Sequence, residues 1–173
     1  MTGQKGFTLI ELLSVVAIIG IVAGIAVPSL MRTRAAGAEA SAIGTLRAIN
    51  GAQASYAAGC AAGAFAPSLS NLGTAPIGGA AAFISPELAV DPATKNNYTI
   101  SMTAGAPATG APATCNGAAA GTAVSTYFVS GNPIGFIGSR FFGTNQGGTI
   151  YQAGAPVPVT QQGAPGGGAV PIQ

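Results

Sequence analysis

Twenty consecutive residues without a formal charge, Leu12 to Met31, constrain this chain more than any other feature. At 1.5 Å rise per residue such a run makes a helix about 30 Å long, the thickness of a bilayer's hydrocarbon core. A membrane span is the direct reading. One carboxylate, Glu11, stands at its threshold, four residues beyond Phe7. At the centre of a span a carboxylate costs roughly 2.5–3.5 kcal/mol on insertion scales; near the edge the cost is smaller, but a partner is still expected. Two plainer readings compete. A cleaved secretory signal, with Lys5 as its basic end and Ala36-Gly37-Ala38 as its cut site, has an apolar core longer than the usual ~7–15 residues and a carboxylate at its start. A plain single-span anchor gives Glu11 no purpose.

Composition narrows the function classes. The 173 residues contain no His, so a Ser-His-Asp triad, a Cys-His pair and most zinc sites are excluded. Four Asp/Glu are few for a hydrolase built on paired acids. Six Lys/Arg, a net charge of +2 and 6% charged residues are too thin for a surface made of phosphate contacts to nucleic acid. Glycine, at 27 residues, is about twice its usual ~7% share. The chain reads as a structural or surface protein, not an enzyme, with no cofactor or metal site.

The segment Lys5-Gly6-Phe7-Thr8-Leu9-Ile10-Glu11-Leu12-Leu13 resembles the leader junction of type IV prepilins and the related pseudopilins of type II secretion. The resemblance implies that a prepilin peptidase cuts between Gly6 and Phe7, that Phe7 is then N-methylated, and that Glu11 assists filament assembly. The short leader, residues 1–6, is similar to the type IVa branch, as is Pro28 within the span. Cleavage would leave a free amine at Phe7, one helical turn from Glu11, and the two charges can neutralise each other within one chain or between neighbours. Against this stands the simpler behaviour in which Glu11 snorkels to the headgroups. Arg32 and Arg34 follow the span while Lys5 precedes it, so the positive-inside rule alone favours the opposite orientation. The resemblance overrides it, because it places the cut site on the cytoplasmic side.

Helical patterning continues past Met31. Residues 35–58 are rich in Ala, and Ile43, Leu46, Ile49, Gln53 and Tyr56 share one side at helical spacing. The opposite face reads as Ala, Gly and Ser. A helix from Phe7 to Ala58 would be about 78 Å long, spanning over residues 7–31 and amphipathic over 32–58. Gly20 and Gly24 form a small-x-x-x-small pair that favours close helix packing in lipid, and Pro28 removes a hydrogen bond to the Gly24 carbonyl. The pilin resemblance implies that the stretch from Gly20 to Pro28 melts on packing into a filament. Gly37, Gly44 and Gly51 recur at seven, a spacing that an Ala/Gly-rich chain also produces by chance.

Beyond the helix, Cys60 and Cys115 are the only cysteines. An even count outside the membrane reads as one disulfide, with two free buried thiols as the other possibility. Residues 61–96 carry Pro67, Pro76, Pro86 and Pro92 and read as a loop with one helical turn near Ser85–Ala89. Strands are expected at 97–102, 123–130, 138–142 and 149–151, with turns at Asn132-Pro133 and 145–148. The expected head, residues 59–152, is therefore α+β: a small antiparallel sheet of three or four strands packed on the helical stripe. The tandem Gly-Ala-Pro-Ala-Thr repeat at 105–114 reads as a surface loop, and 153–173 as a flexible Gly/Pro-rich tail. Asn97-Tyr98-Thr99 matches a glycosylation sequon, a frequent chance match.

Together these features predict a type IV pilin. It would be stored in the inner membrane with its head in the periplasm, processed by prepilin peptidase, and polymerised with copies of itself by the pilus assembly machinery into an extracellular filament. The nearest alternative is a pseudopilin of a type II secretion system. The absence of Asp or Glu after Asp91 weighs against the calcium site that the resemblance implies for major pseudopilins. A membrane-anchored periplasmic enzyme or binding protein is a further alternative, disfavoured by the missing His and scarce acids.

Overall fold

A computed structural model describes residues 6–135 and 140–172. One helix, α1 (Leu9–Gly59), runs unbroken for 51 residues and carries Pro28 inside it. It ends at Cys60, whose N–H donates to the Tyr56 carbonyl. Its two halves have different surroundings. Up to Arg34 every described residue is exposed, whereas Ala38, Glu39, Ala42, Thr45, Leu46, Ile49, Ala52, Gln53, Tyr56 and Ala57 are buried. The expected stripe thus lies on the core, with Ile43 half-buried at its edge. The expectation that Ala sits on the outer face needs correction: Ala38, Ala42 and Ala52 are buried, because small side chains let the helix lie close on the sheet.

The sheet has six strands in sequence order, all antiparallel: β1 (Ala93–Lys95), β2 (Tyr98–Ala104), β3 (Tyr127–Pro133), β4 (Phe141–Asn145), β5 (Ile150–Ala153) and β6 (Val170–Pro171). That is more than the three or four expected. β1 was missed because three residues carry no readable alternation. Its hairpin turn, Asn96-Asn97, has φ of 45° and 64°, the left-handed pair that Asn tolerates and a two-residue hairpin requires. Asn132-Pro133 is not a turn: Asn132 pairs with Thr99 and Pro133 with Tyr98. The pairing of β3 with β4 covers Phe128–Gly131, so the missing Pro133 N–H interrupts no hydrogen bond of that ladder. The start of the strand expected at 138–142 lies outside the described residues. Asn145–Gly148 does turn, with the Gly148 N–H donating to the Asn145 carbonyl.

Both faces of the sheet are covered. On one, Leu46, Ile49 and Tyr56 of α1 join Tyr98, Ile100, Tyr127, Val129 and Phe142 in a single core. Each such aliphatic side chain contributes about 1.5–3 kcal/mol by leaving water. The core closes directly over Gly131, where a Cβ would lie 3.4 Å from Ile100 and 3.9 Å from Leu46, in ordinary contact. On the other face Phe128 is buried under the C-terminal segment, and a Cβ at Gly143 would come within 2.9 Å of Val157. Residues 154–172 therefore differ from the separate tail expected: they cross the sheet and return as β6. The Asn145 side-chain amide donates to the carbonyls of Thr160 and Gly163, and that of Gln161 to Ala104.

Between helix and sheet, the loop expected at 61–96 contains a helical turn at α2 (Leu69–Leu72), whose N-cap Ser68 accepts from the Asn71 N–H, and a 3-10 turn at Pro86–Leu88 where one was expected. Gln53, fully buried, grips Ala66 in both directions, accepting its N–H and donating to its carbonyl at 2.9 and 3.0 Å. Burial also pushes the Tyr98 and Tyr127 hydroxyls up to about 12. Unfolded tyrosines ionise near 10. The stabilisation from keeping both neutral is complete below pH ~10 and is lost as pH rises towards ~12. Alkaline unfolding, followed by circular dichroism and phenolate absorbance, is expected in that window.

Candidate functional site

The candidate cleavage, methylation and assembly residues lie together at the free end of α1. Gly6 and Phe7 precede the helix and are exposed, and Lys5 lies outside the described residues. Thr8 is the N-cap, with φ −84° and ψ 150°. Its hydroxyl accepts the Glu11 N–H at 3.3 Å, and the Glu11 carboxylate accepts the Thr8 N–H at 2.9 Å and its hydroxyl at 2.6 Å. This is a capping box, which satisfies backbone donors that a helix end leaves unpaired. The sequence reading gave Glu11 no partner inside the intact chain, although Thr-x-x-Glu is the local signature of one. The carboxylate is thus held one helical turn from Phe7, whose nitrogen is a peptide amide in this chain.

From Phe7 to Met31 the apolar side chains have nothing against them: Leu9 is 81% exposed and Ile25 74%. Among the described residues, one helix is long and apolar enough to cross a membrane, and it is α1. Gly20, Gly24 and Pro28 sit within it on regular helix, and a Cβ on either glycine would meet nothing within 4 Å. The packing partner that would use these small residues is not supplied by the chain's own head.

At the other end of α1, Cys60 and Cys115 form a disulfide with a Cα–Cα distance of 4.7 Å. The Cys115 N–H donates to the Cys60 carbonyl at 3.1 Å, so the crosslink is seated by the backbone. A second tie was not anticipated. Glu39 of α1 is buried and receives Arg140 Nε at 2.8 Å, 101 residues along the chain. Arg140 also donates to Gln152 at 2.7 Å, and its guanidinium lies 5.9 Å from the centre of the Phe142 ring. The pairing with Glu39 raises the Arg140 pKa further. No local pattern links residues so far apart. Removing Arg140 takes the guanidinium away from a buried carboxylate, whereas removing Glu39 leaves a half-exposed guanidinium that water can reach. Arg140→Ala is therefore expected to cost about 2–3 kcal/mol, and Glu39→Gln roughly 1, in urea unfolding of the full chain in mild detergent.

Residues 1–27 match the family model described as the prokaryotic N-terminal methylation motif. Over 53 residues the chain is 47% identical to the type IV major pilin protein PilA of Myxococcus xanthus (strain DK1622), a stretch covering 31% of this chain. The match spans 24%, about a quarter, of that relative's length. No solved structure matches the chain. The N-terminal region thus carries the methylation motif of prokaryotic pilins and is similar there to a type IV major pilin.

Proposed function

We propose that this chain is a structural subunit of a type IV pilus, a pilin and not an enzyme. The observation that carries the reading is the uncovered apolar half of α1, joined without a break to a folded head. A bare apolar surface of that length is stable only in lipid or against other such helices. The membrane supplies the first environment and a filament core the second. In this scheme the peptidase removes residues 1–6, Phe7 becomes the methylated N-terminus, residues 7–31 form the filament core, and 32–58 carry the head to the surface. Copies of the chain are the main partner, added by the assembly machinery, and Glu11 marks the register of each addition. Gly20, Gly24 and Pro28 give the core helix its close approach and its weak point.

The test is the N-terminus of protein sheared from cells. It is expected to begin at Phe7 and to carry one N-methyl group. Gly6→Val is expected to leave unprocessed precursor in the inner membrane. Open space surrounds Gly6, so the added side chain disturbs the peptidase and not the fold. N-terminal sequencing that starts near Glu39 would establish a secretory signal and overturn the proposal.

A further inference from the structure

We propose that the notch between α1 and the β1–β2 hairpin binds the phosphate of a phospholipid headgroup at the outer surface of the storing membrane. The proposal rests on the membrane-spanning reading of residues 7–31. The notch has a volume of about 350 Å³ and is lined by Arg34, Gly37, Ala38, Asn96 and Asn97. Its hairpin wall is pinned to the helix, because the Asn96 side-chain amide donates to the Ser41 hydroxyl at 2.7 Å.

Among the described residues Arg34, like Arg32 and Arg47, forms no ion pair, and of the three it is Arg34 that lines the notch. The four carboxylates are engaged elsewhere: Glu11 with Thr8, Glu39 with Arg140, Glu87 with Lys95, and Asp91 with the Met102 N–H. Arg34 is therefore available to an anion from outside the chain. A guanidinium offers a planar fork of N–H donors that fits phosphate oxygens, and the exposed Asn97 amide across the notch adds further donors. Gly37 lends the floor no side chain, and a Cβ there would point into open space.

Depth supplies the independent argument. The apolar run ends at Met31, so Arg34 lies about 4.5 Å and Gly37 about 9 Å beyond it along the helix axis. The headgroup layer outside the hydrocarbon is about 5–7 Å thick. Arg34 therefore lies within the phosphate layer and the notch opens at its rim. A phosphate held there would fix the angle of the head over the bilayer before the subunit leaves it.

The experiment uses the full chain in maltoside micelles with added phosphatidylglycerol, and native mass spectrometry reads the fraction carrying a lipid. Arg34→Gln and Gly37→Leu, which fills the notch, are each expected to lower lipid retention about fivefold. Arg47→Gln, an exposed arginine about 20 Å further along α1, is expected to leave it unchanged. A galactolipid without phosphate is expected to be retained no better than phosphatidylglycerol by Arg34→Gln. Inorganic phosphate at equal concentration is expected not to displace the lipid. Displacement at equal concentration would make the notch a free-anion site and overturn the lipid assignment. Amide exchange in bilayer discs separates the two layers of inference. Fast exchange at residues 12–31 overturns the membrane reading and this proposal with it. Slow exchange there, with equal retention by Arg34→Gln and the native chain, overturns the notch alone.

Discussion

Cells whose only copy of this chain carries Glu11→Gln will process the precursor, hold the product in the membrane and show few or no filaments. The capping box makes the substitution unusually clean. Glutamine at the third helical position can accept from the Thr8 N–H as glutamate does, so the helix start survives. What disappears is the negative charge. The proposed cleavage before Phe7 would create a cation next to the N-cap, in surroundings where an unpaired charge is costly. Breaking a buried pair by removing one member costs about 3–5 kcal/mol, or a hundredfold or more in the docking equilibrium of each added subunit. Insertion becomes slightly easier, since less charge enters the apolar phase. Thr8→Ala is the matching control: it loses the cap, worth about 1 kcal/mol, and keeps the charge, so filaments should persist. Electron microscopy and a shear assay, with cleavage followed by blotting, give the answer. Normal filament numbers in Glu11→Gln cells would mean that Glu11 only snorkels.

The double variant Cys60→Ala/Cys115→Ala is expected to lose about 4 kcal/mol of head stability, the chain-entropy value for a loop closed over a sequence separation of 55. Small domains have about 5–15 kcal/mol in total, so the loss is a large fraction. The enclosed segment explains why the crosslink matters. It contains α2, the 3-10 turn, β1 and β2, joined by glycine- and proline-rich loops with high entropy in the unfolded chain. Urea unfolding of the full chain in detergent should show a much lower midpoint with an unchanged slope at first order. Leader cleavage should be unaffected, because the proposed cut site lies about 77 Å away at the far end of α1. An unchanged midpoint would show that backbone contacts, such as the Cys115 N–H to the Cys60 carbonyl, hold the junction without the covalent bond.

Legibility in the sequence followed the range of each interaction. The Leu12–Met31 run, the Gly6–Phe7 junction, the offset of Glu11 and the stripe through Leu46, Ile49 and Tyr56 all lie within a helix period or two. Their meaning survives without knowing what packs against them. The Thr8–Glu11 box is equally local, carried by the Thr-x-x-Glu spacing. The Ser85–Ala89 turn is signalled by its proline, Pro86, at the start of the 3-10 turn. By contrast, Asn132-Pro133 carries turn chemistry yet lies in β3, because pairing with Tyr98 and Thr99 outweighs local preference.

The sequence by itself determined that this chain has a long helix with a bare apolar half, a pilin-type junction before it, and two cysteines with only each other to pair with. Those properties depend on composition, spacing and count along the chain. Only the tertiary structure decided that Arg140 meets Glu39, that Gln53 grips Ala66, that residues 154–172 cover Phe128 and add β6, and that Arg34 faces Asn97 across a notch. Each of these is a contact between segments whose separation carries no periodic signal, and its energy comes from burial or pairing that exists only after the segments have met.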